Sequence, residues 1–240
     1  MLQCSRRLSP RLALEAEAQM NKDLAEVIKL YAMGSHKDLN AYLLDRSKDA
    51  LIALLTDLVT MYINDKNSST LKEFVTVAIA GYEHHETKIG YNGYRQSSLS
   101  GERPDVCEAK PKNVRTDGLS KRKLDGGGNF TDYTFARLEK DLAENPNILP
   151  SGFVDGKLIY VLEFPFRCET FVERLREQVQ RRFPNGGVTG QFLRSATFDF
   201  RHYEHCDSLK VVFVLSRREL ERYEENFTKG FYQFIWSRAQ

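Results

Sequence analysis

The segment Lys157–Phe166 (KLIYVLEFPF) constrains this chain more than any other. It is apolar at nearly every position, so as a strand it carries no polar face to turn to water. A strand buried on both sides needs a covering layer above and below. That requirement predicts an α/β fold with a mixed β-sheet flanked by helices.

The rest of the chain supplies those layers. Between 21 and 33, Leu24, Val27, Ile28, Leu30 and Tyr31 recur at three- and four-residue steps, and Gly34 stops the helix. Further helices are expected over 37–44, 47–63 and 71–83, the last capped by Ser69 or Thr70. Together they predict an N-terminal helical lobe over 20–86, ahead of a core over 87–240. Within the core, 88–96 with Gly90 and Gly93 reads as a strand with a bulge, and 105–112 (DVCEAKPK) as a short strand. The Gly-, Lys- and Arg-rich stretch 113–131 reads as a loop. A helix over 132–144 follows, capped by Asn129 or Thr131, and then a turn-rich connection over 145–156. After the apolar strand come a helix over 169–183, strands over 192–203 and 209–215, a helix starting at Arg217, and a final apolar segment over 231–236.

Composition narrows the function classes. No apolar run reaches the roughly 20 residues needed to cross a bilayer; 51–63 is short and broken by Asp57, and 74–82 is shorter still. Residues 1–19 lack the apolar segment of a secretory signal, and Glu15 and Glu17 argue against a transit peptide. They are expected to form an extension before a single domain. Cys4, Cys107, Cys168 and Cys206 stand apart, which fits reduced thiols and a cytoplasmic setting. A net charge of +2 leaves the matter of partners to local clusters.

The richest such cluster is Pro104-Asp105-Val106-Cys107-Glu108-Ala109-Lys110. Residues two apart on a strand share a face, so Glu108 and Lys110 should project together, with Asp105 near the mouth of the strand. Two carboxylates suit a hard cation such as Mg²⁺, which activates water and polarises a phosphate. A lysine beside them can orient that water and offset developing charge. The alternative is a solvated ladder of charges on an edge strand.

This segment resembles the PD-(D/E)xK nuclease superfamily, which includes most type II restriction endonucleases, through Pro104-Asp105 and Glu108-Ala109-Lys110. The order of a motif strand, a crossover helix and a buried strand is similar too. The resemblance implies a restriction endonuclease-like fold and a Mg²⁺-dependent endonuclease cutting double-stranded DNA, sequence-specifically, as a homodimer. In it Asp105 and Glu108 hold metal and Lys110 positions water. An acid on the preceding helix would complete the site: Glu83 or Glu86, or Glu73 farther up. The family's aspartate lies farther upstream of the triplet, at the start of a neighbouring strand. Either the spacing here is tight, with only Val106 and Cys107 intervening, or the first acid lies elsewhere.

Flanking segments provide candidate DNA contacts. Lys112, Arg115, Lys121, Arg122 and Lys123 extend a basic run beyond Lys110 with Asp117 as its only acid, suited to a phosphate backbone. Asn92, Arg95 and Gln96 are types that make contacts to base edges. The same residues serve a rival reading, a non-catalytic DNA- or RNA-binding protein. His84-His85 and His202–Cys206 lack the paired spacing of a zinc site.

Overall fold

The computed structural model describes residues 21–64, 69–85, 90–96, 104–116, 122–187 and 190–240. The expected extension 1–19, Glu86 and Lys121 lie outside the described residues. Among the described residues, four helices come first. Helix α1 (Lys22–Met33) is capped by the Asn21 side chain, and its buried Leu24, Ile28 and Ala32 form one stripe. Helix α2 (His36–Leu44) opens on a capping box of Ser35 and Asp38. Helices α3 (Lys48–Asn64) and α4 (Thr70–Ile79) follow, and α4 buries Phe74 through Val77.

The order continues with β1 (Glu83–His84), β2 (Gly93–Arg95), β3 (Asp105–Val114), β4 (Gly128–Tyr133), α5 (Phe135–Glu144), β5 (Asn147–Val154) and β6 (Lys157–Pro165). It ends with α6 (Glu169–Arg182), β7 (Leu193–Phe198), β8 (Lys210–Val214), α7 (Arg217–Leu220) and α8 (Lys229–Arg238). Six strands form one mixed sheet in the order β1-β2-β3-β5-β6-β8, and β4 and β7 form a separate ribbon. Among the described strands β3 and β5 are the pair that runs parallel, from Cys107↔Asn147 to Val114↔Val154, with α5 in the crossover between them.

The hairpin β5–β6 is the buried centre: Leu158 through Leu162 are fully enclosed. On one face α1 and α4 set Leu24, Ile28, Phe74 and Val75 against Phe153, Leu158 and Val161. Helices α1 and α4 of the N-terminal group thus cover this face of the sheet. On the other face α6, α8 and the ribbon bring Phe130, Phe171, Phe198 and Phe231 against Tyr160, Leu162 and Phe164. Phe164 stacks on Tyr203 with centroids 4.3 Å apart.

Two expectations are corrected here. The connection expected over 145–156 is β5, buried along almost its whole length. Its Pro150, Ser151 and Gly152 imitate a turn, yet each has a place in the strand. Pro150 falls in a gap of the β5–β6 ladder, between Ile148↔Phe164 and Ser151↔Val161. The Ser151 hydroxyl meets that of Thr76 at 2.5 Å, and Gly152 lies under the Tyr160 ring. The helix expected from 132 begins at Phe135, because pairing with β7 holds 128–133 extended; the cap is Thr134, accepting from the Arg137 N–H.

Gly152→Ala puts a methyl 2.2 Å from Tyr160 Cε1, which is enclosed and cannot yield. We expect a loss of about 1–3 kcal/mol, read as a melting temperature lower by roughly 2–4 °C per kcal/mol; an unchanged melting temperature would contradict this packing. His84, edge-on to Phe74 at 5.8 Å, has its pKa pushed down to about 4 by burial and by neighbouring His85. The folded chain thus resists a proton that the unfolded chain accepts. Stability should fall as pH drops from about 6.5 toward about 4, and His84→Gln should flatten a urea-midpoint profile across that window.

Candidate functional site

Strand β3 has two unlike faces, and the alternation of its side chains divides the sequence motif between them. Cys107 and Ala109 point into the cluster with Val77, Ala80 and Tyr82 under α4. Glu108 and Lys110 point the other way, where Lys110 Nζ lies 4.4 Å from the centre of the Phe130 ring. Their side chains are 12% and 14% exposed and meet at 2.7 Å. A nearly enclosed carboxylate and ammonium in contact are a different object from a solvated charge ladder.

Asp105 belongs to the α4 face. It is three residues from Glu108, an odd step that reverses the side chain, and it pairs with Arg95 at 3.1 Å while remaining 53% exposed. Arg95 also lies 4.0 Å from buried Glu163, and its guanidinium stacks on Tyr82. The structure therefore separates Asp105 from Glu108 and joins it to a cluster of Arg95, Tyr82, Glu163 and Lys210. Glu83, another acid expected at the site, sits on the outer strand β1 and accepts from the Tyr94 hydroxyl at 2.7 Å.

A different set surrounds Glu108 and Lys110. Asn92, just before β2, accepts from the Ala109 N–H at 2.8 Å and donates to Glu73 of α4 at 3.3 Å. This single amide stitches the preceding helix to the motif strand. Arg137 of α5 lies 4.0 Å from Glu108 and is held by both oxygens of Asp141 at 2.8 and 2.9 Å. Asp141 is 1% exposed and also accepts from Tyr91 and Tyr133, both at 3.2 Å. Burial raises its pKa, against the lowering influence of Arg137, and burial likewise raises those of the two phenols.

Lys110 opens onto a groove of about 730 Å³ between β3 and the β4–β7 ribbon, bordered also by Glu73, Lys112, Arg122 and Asp125. The ribbon reaches β3 at Gly128, where an added Cβ would lie 2.8 Å from Lys110 Cβ. Lys112 pairs with Asp125 at 2.8 Å. Arg115, Arg122 and Lys123 are exposed, as is Gln96. Asn92 and Arg95, expected to read base edges, hold strands together.

No protein-family model matches the chain, and no curated protein matches its sequence.

Among the described residues no three His, Cys, Asp or Glu side chains gather into a metal cluster. The oxygens near the motif stand in two groups: Glu108 against Lys110 and Arg137, and Glu73 joined through the Asn92 amide to the Ala109 N–H. Sequence reasoning placed Glu108 and Lys110 but missed Asn92 as a link, and missed Arg137 and Asp141 altogether. The i,i+4 spacing of an arginine and an aspartate on a predicted helix was the available signal.

Asp141→Asn retains an oxygen for the phenols but removes the charge that fixes Arg137. We expect a loss of about 1–3 kcal/mol, measured by chemical denaturation. If the variant matches the parent, the Asp141–Arg137 pair does not hold the site together.

Proposed function

We propose that this protein is a Mg²⁺-dependent endonuclease that hydrolyses DNA phosphodiester bonds at Glu108 and Lys110. The observation that carries the reading is the enclosed contact of Glu108 with Lys110, which borders a groove shared with Lys112 and Arg122. The order of motif strand β3, crossover helix α5 and buried strand β6 supports it further, with β5, not expected as a strand, paired between β3 and β6.

The donor set suits the ion. Mg²⁺ retains several waters and is held by one or two carboxylates together with substrate phosphate oxygens, so a closed cage of acids is not required. Glu108 and Glu73 are the carboxylates available for it. Where the resembled family has an aspartate, at the start of a neighbouring strand, this chain has Asn92, an amide before β2. Asp105 is replaced in the proposal by this position.

When bound, the ion would supply Lewis acidity and a lowered pKa for water. The remaining steps belong to the chain. Lys110 points its ammonium toward the groove, where it can orient the attacking water and balance charge on the phosphorane. Its contact with Glu108 must loosen as phosphate enters, and Arg137 stands ready to keep the carboxylate compensated. Asp141 holds Arg137 in that position. Asn92 and Arg95 are engaged in the fold and do not read bases, whereas Lys112, Arg122 and Lys123 contact the DNA backbone. Double-stranded DNA and a homodimer belong to the same proposal, since cutting two strands at symmetric positions is met by a two-fold pair of sites.

The test is single-turnover cleavage of mixed-sequence DNA in Mg²⁺, alongside binding in Ca²⁺. Glu108→Ala should abolish cleavage and leave most binding. Lys110→Ala should lower the rate by roughly 10²–10³, about 2.7–4 kcal/mol, with little change in affinity, and Lys110→Arg should not restore it. Asn92→Asp preserves the acceptor for Ala109 and adds a carboxylate, so the Mg²⁺ concentration for half-maximal cleavage should fall. Binding without cleavage in the parent protein would favour a non-catalytic nucleic-acid-binding role instead. Equal rates in all variants would sink the catalytic assignment.

A further inference from the structure

The β4–β7 ribbon has one apolar and one polar side. Phe130, Ala196 and Phe198 point into the core. On the exposed side, Asn129 lies directly opposite Thr197, and Thr131 directly opposite Ser195. These four uncharged side chains line the same groove as Lys110, Lys112 and Arg122. Thr197 is fixed by Gln178, whose amide oxygen accepts from its N–H at 2.9 Å and its hydroxyl at 3.3 Å. The side chains of Asn129, Thr131 and Ser195 make no hydrogen bond among the described residues. A wall of hydroxyl and amide groups, with three of its four members unengaged, faces Lys110, Lys112 and Arg122 across a groove that Glu73 and Asp125 also border.

We propose that this ribbon is the track for one sugar–phosphate strand of the substrate, and that Asn129, Thr131 and Ser195 are its neutral rungs. The inference rests on the nuclease reading above and adds how the strand is held. Protein contacts to phosphate and sugar come from Ser, Thr and Asn as well as from Lys and Arg. Successive rungs along one strand of the ribbon lie about 6.7 Å apart, comparable with the step between neighbouring phosphates. The track begins at the reaction centre, because the ribbon abuts β3 where Gly128 meets Lys110. Among the described residues the ribbon's own rings are buried: Phe130 and Tyr133 in the core, and Phe198 at the edge of the groove. Platforms that grip nucleic acid by its bases require exposed rings. The wall therefore engages the backbone and leaves the bases unread.

Neutral and charged contacts have separable signatures. Counterion release follows the charges alone, so losing a hydroxyl weakens binding without altering its salt dependence. The experiment measures binding of a labelled 20-base-pair mixed-sequence DNA duplex, and of its separate strand, in Ca²⁺ across a salt series. For the form that the parent protein binds, Asn129→Ala/Thr131→Val/Ser195→Ala together should weaken affinity roughly tenfold or more, with the log–log slope unchanged. Lys112→Ala/Arg122→Ala should instead make the slope shallower by about 0.7–0.9 for each lost phosphate contact. Thermal unfolding accompanies each variant, and Thr131→Val alone, which retains β-branching, replaces the triple variant if that one loses stability. Affinity within twofold of the parent overturns the track, as does a slope that shifts with the neutral substitutions. A parent protein that binds neither DNA form at low salt overturns the nuclease reading, and the track falls with it. Binding that is strong but rung-independent overturns the track alone.

Discussion

The β5–β6 hairpin is enclosed on both faces, and most of the architecture is the consequence of covering it. Ile148, Leu149 and Leu158 through Leu162 have no surface left to water. One layer alone cannot achieve that, so α1 and α4 close one side while α6, α8 and the ribbon close the other. With the hairpin fixed, the parallel place beside β5 falls to β3, reached through the crossover helix α5. That placement decides which way each side chain of β3 points. Cys107 and Ala109 go under α4, and Glu108 and Lys110 go toward the ribbon.

The charges then follow a common rule: those taken out of water have partners. Asp141 receives Arg137 and two phenols, Glu163 receives Lys210, and Glu108 receives Lys110. Burial of an unpaired carboxylate would be costly; Glu108 and Asp141 each find one donor on their own element and others beyond it, Arg137 for Glu108 and the two phenols for Asp141. Asp141 binds the crossover helix to the β2 approach through Tyr91. Asn92 binds the preceding helix to β3. Of the residues bordering the groove, Glu73 is thus tied to β3 through Asn92 and Lys110 is held by Glu108.

Where sequence and structure part, the cause is tertiary pairing. Residues 145–156 carry Asn, Pro, Ser and Gly in the pattern of a turn, and nothing local marks them as a strand. Their strand state comes from β3 on one side and β6 on the other, with Pro150 in a gap of the ladder and Gly152 making room for Tyr160. Residues 128–133 read as the approach to a helix, yet β7 holds them extended. Local propensity is a weak signal when a distant strand supplies the hydrogen bonds.

The sequence by itself determined the elements whose signal is internal to a segment: the buried strand 157–165, the amphipathic helices α1 and α6, and the shared face of Glu108 and Lys110. Each depends only on periodicity, and periodicity survives any arrangement of neighbours. Asp105 shows the limit, because the same period that joins Glu108 to Lys110 sends an odd-numbered neighbour to the opposite side. What only the tertiary structure decided is the company those two residues keep. Asn92, Glu73, Arg137 and Asp125 come from a loop, two helices and the approach to the ribbon, separated by tens of residues in sequence. Their meeting depends on how the layers close over the hairpin, a property of the packed core that no single segment encodes.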